Sequence, residues 1–105
     1  MVLLGGDMRE DGVPRSFALG PHKIKVVNVP AKKWKWGDTV LAMWMPSECR
    51  IELISTLSGT YRQTVFLHEA VHAILDTCGY YDISENEDFV DRFSVMLHQM
   101  LTTMK

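Results

Sequence analysis

The segment His68-Glu69-Ala70-Val71-His72 limits what this chain can fold into more than any other stretch of it. On an α-helix, residues four apart lie one above the other on the same face. His68 and His72 placed this way turn two imidazoles toward one point, and Glu69 stands about 100° further round the helix. Two ring nitrogens can then hold one metal ion while the carboxylate reaches a water on its open side, which is why H-E-x-x-H suits a hydrolytic zinc site. With this chain's composition, a chance match has a probability on the order of one in a hundred. Only four histidines occur, and two of them fall in this register.

The surrounding pattern supplies the helix. From about residue 59 to 78, Val65, Phe66, Val71, Ile74, Leu75 and Cys78 recur at three- and four-residue spacing. Ser58 or Thr60 can cap the start and Gly79 can stop it. A second helix is expected from Ser84 onward, with apolar positions at Phe89, Val90, Phe93, Met96, Leu97, Met100, Leu101 and Met104. Within it, the Met96, Met100 and Met104 series reads as core or as a dimer seam.

Before the helices the texture is that of strands. Ile24 to Val29 is rich in β-branched residues and ends at Pro30; Thr39 to Met45 ends at Pro46; Cys49 to Ile54 alternates. The link Pro46-Ser47-Glu48 is short enough to pair the last two as a hairpin. Strands followed by helices predict an α+β domain, with a small three-stranded, mostly antiparallel sheet and two helices carrying the metal site. Residues 1–21, with Gly5, Gly6, Gly12, Pro14, Gly20 and Pro21, read as an irregular or flexible arm, and 22–105 as a single domain.

Length and composition agree with one domain: 105 residues, 47% hydrophobic and 23% charged, leave room for one core and not two. The net charge of -2 and the lack of a long like-charged block give no nucleic-acid tail. The run Lys32-Lys33-Trp34-Lys35-Trp36 reads as an exposed loop with anchoring indoles, so nucleic acid is not expected as a partner. Cys49 and Cys78 form no CxxC pair, which excludes a zinc ribbon and suits reduced thiols. With no run long enough for a signal peptide or a membrane span, a cytoplasmic protein is expected.

A catalytic zinc needs a third protein ligand and an open position. Glu85, Glu87, Asp88, Asp91 and His98 lie downstream, with His22 and Cys49 further away. Glu87 and Asp91 are one helical turn apart, so Glu87 can complete the ligand set while Asp91 accepts the outer N–H of a ligand histidine. Against this, Ser84-x-x-Glu87 also has the form of a capping box, in which Glu87 folds back on the Ser84 backbone.

His68-Glu69-x-x-His72 followed by Glu87 and Asp91 resembles the zincin metallopeptidases of the glutamate-ligand type. Arg50-Ile51-Glu52-Leu53 and the Tyr61-Arg62-Gln63-Thr64 lead into the helix are similar to small phage and bacterial members related to the ImmA/IrrE-like peptidases. The resemblance covers roughly residues 24 to 101. It implies a minimal zincin-like domain with one Zn2+ held by His68, His72 and Glu87. Glu69 would be general base and then general acid toward a peptide or protein substrate. Two further readings stand beside it: a zinc hydrolase of a non-peptide substrate, and a regulatory or binding protein using zinc structurally. Tyr61, Tyr80, Tyr81, His22 and His98 are the available types for a further transition-state donor, and Trp34, Trp36 and Trp44 for lining a pocket beside an exposed strand.

Overall fold

A computed structural model describes residues 9–105. The elements run β1 (Ser16–Leu19), β2 (His22–Val29), β3 (Ala42–Met45), β4 (Arg50–Ile54), α1 (Gly59–Cys78), α2 (Tyr81–Ser84) and α3 (Glu87–Thr103). This is an α+β fold, but the sheet has four strands in the order β1-β2-β4-β3, and three helices follow it. The expected three strands and two helices are thereby corrected, and so is the pairing. The sheet is mixed, because β2 and β4 are parallel while β1–β2 and β3–β4 are antiparallel. The chain between β2 and β4 carries β3 to the far side of β4, and β4 therefore runs in the same direction as β2.

The fourth strand comes from the expected arm, of which residues 1–8 lie outside the described residues. Leu19 pairs with His22, so Gly20-Pro21 is a two-residue hairpin loop, and Gly20 takes the positive φ of 57° that such turns require. Phe17 meets Phe66 of α1 edge to face at 6.0 Å, and Val13 is fully buried. Arg9 donates to the carbonyls of Pro14 and Val26 at 2.7 and 2.8 Å. Arg62, itself buried, donates to Asp11 at 2.7 Å, and Gln63 donates to the Asp11 carbonyl. Residues 9–19 are thus packed and bonded to the domain.

One face of the sheet forms the core. Ile24 and Val26 of β2, Ile51 and Leu53 of β4 and Ala42 of β3 meet Phe66, Leu67 and Ala70 of α1, and Leu97 and Leu101 of α3 pack against this cluster. α1 ends in a Schellman arrangement: Gly79 at φ 86° donates to Asp76, and Tyr80 donates to Leu75. The turn of chain after it is the short α2, which brings α3 back along α1. No helix among the described residues is long and apolar enough to cross a membrane.

Candidate metal centre

α1 places His68 and His72 side by side with ring centroids 5.0 Å apart. Both are half-buried at mid-helix, where backbone hydrogen bonding fixes their separation. α3 enters so that Glu87, its first residue, reaches across to both rings. One Glu87 oxygen lies 3.2 Å from His68 Nε2 and the other 3.1 Å from His72 Nε2. Among the described residues, this is the one group of three His, Cys, Asp or Glu side chains whose ligand atoms all lie within 4.8 Å of one another.

The outer nitrogens are also engaged. His68 Nδ1 lies 2.9 Å from Asp91 Oδ1, and His72 Nδ1 lies 2.9 Å from Ser84 Oγ. With its proton on Nδ1, His68 donates to Asp91 and presents the Nε2 lone pair to Glu87; His72 does the same with Ser84 behind it. In that tautomer two lone pairs and a carboxylate meet, and they repel unless positive charge, as a proton or a metal ion, sits between them. A cation with a preference for nitrogen and oxygen ligands meets that need. Zinc held at about 2.0–2.1 Å in tetrahedral geometry sets its ligand atoms about 3.3 Å apart, close to the Glu87–imidazole spacings. The donor set therefore fits zinc.

Capping does not compete for Glu87. Asn86 is the N-cap of α3, its side chain accepting from the Phe89 N–H at 3.1 Å, while Ser84 closes α2 and points to His72. The capping-box reading of Ser84 and Glu87, and the expected helix start at Ser84, are corrected accordingly: Ser84 ends α2, and α3 begins three residues later at Glu87 behind its cap Asn86.

Glu69 is not in the ligand group. Its Oε2 accepts the backbone N–H of Trp44 at 3.1 Å, which ties the carboxylate to strand β3. Burial pushes the Glu69 carboxyl above its ordinary pKa; His72 and the Trp44 N–H pull it back, and the Glu87 charge adds a further push upward. Trp44 is fixed a second time through its indole N–H, which donates to Asp76 of α1 at 2.9 Å. A groove of about 530 Å³ opens beside His68 and Glu69, lined by Leu41, Ala42, Tyr61 and Val65 among others.

Other sequence candidates lie elsewhere. His98 bonds Gln63 at 2.9 Å, Asp88 pairs with Arg92, and Cys49 faces His22 at 4.0 Å beside a separate pocket that also holds Trp44 and Tyr81. Tyr80 and Tyr81 are exposed. Trp34 and Trp36 are occupied by the Val40 carbonyl and the Glu52 carboxylate and line neither. Reading the sequence missed Ser84 and the Trp44 amide. Ser84 carried a signal for another role, and a backbone N–H carries none.

Compared with known protein families, curated proteins and solved structures, the chain matches none.

Proposed function

We propose that this chain is a zinc-dependent peptidase with a zincin-like active site. The observation that supports it most is the Glu87 carboxylate bridging the Nε2 atoms of His68 and His72 while Asp91 and Ser84 hold their Nδ1 atoms. His68, His72 and Glu87 would hold the metal. Zinc bound there lowers the pKa of water toward about 7 and polarises a carbonyl oxygen.

The remaining chemistry belongs to the protein. Glu69, kept out of the ligand set by its position on the helix, takes a proton from the attacking water and delivers it to the leaving nitrogen. Burial suits both halves of that task, because a carboxyl with a raised pKa gains and loses a proton near neutrality more readily than an exposed one. The Trp44 amide holds the carboxylate in place without competing for the proton. Among the described residues, strand β3 pairs only with β4, so apart from the Trp44 amide its other edge is unpaired beside Glu69. An extended peptide added along that edge would bring its backbone carbonyls to the site. The apolar lining of the adjoining groove suits a substrate side chain of the same character.

Purified protein should carry one zinc per chain, and Glu69→Gln should keep that zinc and the fold while losing about 10²–10⁴ of peptide hydrolysis. Full activity in Glu69→Gln would sink the assignment. Activity confined to esters or non-peptide amides would move the reading to another hydrolase. Zinc bound with no hydrolysis by the unaltered protein would favour a structural site.

A further inference from the structure

α3 carries a second stripe that the metal centre does not use. Phe89, Phe93, Met96 and Met100 fall within about 60° of one another at 100° per residue. They lie nearly opposite the flank that carries Glu87, Asp91 and His98. The core-facing row is a different one, with Val90 and Ser94 buried and Leu97 and Leu101 partly so. The second stripe is open to solvent: Phe89 is 38%, Phe93 49%, Met96 60%, Met100 53% and Met104 49% exposed. Phe89 and Phe93 already stack on each other at 5.6 Å and form a flat apolar platform.

The composition of this face is that of an interface core. From Phe93 to Met104 there is no Asp, Glu, Lys or Arg over twelve residues, in a chain that is 23% charged. Depletion of charge with enrichment of aromatic residues and methionine marks buried contact surfaces, whereas a solvated helix face is ordinarily charged. The exposed parts of the five side chains amount to about 500 Å² per copy, taking about 200 Å² for a whole side chain of this size. Two copies would bury about 1000 Å², the lower bound of a specific interface.

We propose that α3 is a homodimer interface in which two copies pair antiparallel through this stripe. One register satisfies all of its chemistry. With Met96 near the twofold axis, Phe93 faces Met100 of the second copy and Phe89 faces Met104. Each contact occurs twice by symmetry. Sulfur on aromatic faces is a favourable contact. The same register runs the two helix dipoles antiparallel, a favourable arrangement. Parallel pairing would instead set the two helix dipoles side by side in the same direction. The metal centre sits on the opposite flank, so both clefts stay open in the dimer. Neither zinc nor hydrolysis enters into this pairing.

Light scattering and sedimentation over a concentration series test it on the full chain. The unaltered protein should be a dimer with a dissociation constant in the micromolar range, as suits so small an interface. Met96→Glu with Met100→Glu should be monomeric, with the helical circular dichroism and zinc binding unchanged. In a Cys49→Ser, Cys78→Ser background, Phe93→Cys with Met100→Cys should cross-link the two copies on oxidation, whereas Phe93→Cys alone should not. An unaltered protein that is monomeric throughout the series, or a dimer that survives the double glutamate variant, would overturn the interface. Efficient cross-linking by Phe93→Cys alone would overturn the antiparallel register.

Discussion

The two flanks of α3 share one backbone and differ in almost everything else. On one, Glu87, Asp91 and His98 each have a partner on α1, in His68, His72 and Gln63. On the other, Phe89, Phe93, Met96 and Met100 face solvent. The first flank gathers carboxylates against two imidazoles; the second removes charge from a place where water would welcome it. Under the two proposals made above, each flank would be completed by something bound: a metal ion on one and a second copy on the other. Both are local departures from what a helix face turned only to its own core and to water would favour.

Glu87→Ala strikes the first flank hardest. Zinc affinity measured by competition with a chromophoric chelator should fall by more than the ~100-fold that loss of an outer partner costs. Retained affinity would take Glu87 out of the ligand set. Asp91→Ala tests whether the outer contact matters by itself, and a loss of about 10–100-fold in zinc affinity is expected, with Ser84→Ala acting on His72 in the same sense. A smaller effect belongs to the junction of the two flanks. Asn86→Ala removes the α3 cap and should cost ~1 kcal/mol, lowering the melting temperature by about 4–8 °C. That melt is best read with zinc chelated, because a ligand bound only by the folded state masks such losses. At the bottom of the scale, Phe93→Ser should leave zinc affinity and hydrolysis within about twofold, as expected for a position that shares no contact with the site. A large change there would mean that the flanks are coupled.

The same contrast explains what was legible in the sequence. His68, Glu69 and His72 are placed by helical periodicity alone, and α1 spans the residues that its apolar spacing marks out. Glu87 and Asp91 also followed from spacing, but their meeting with the histidines depends on α2, a four-residue helix with no periodic signal. β1 was hidden for a related reason. Ser16-Phe17-Ala18-Leu19 has little strand character and is bounded by Gly and Pro; it is a strand because β2 pairs with it and Phe66 receives Phe17. The parallel β2–β4 pairing joins segments more than twenty residues apart, beyond the reach of any local pattern. α3 presents two apolar rows at helical spacing, and the sequence cannot say which of them meets the core. The methionine series accordingly read as core or seam, and the structure places it outside the core.

The double anchoring of Trp44 has a consequence for how this protein avoids its neighbours. An open sheet edge is a template for unwanted strands, and natural edges are blunted by shortness, by proline or by a cover. β3 is four residues long, is followed by Pro46, and has one amide already bonded to Glu69. What remains is a short edge of the kind that discourages further strand pairing. The contact that steadies the Glu69 carboxylate also takes up one of the few donors that this edge offers to another strand.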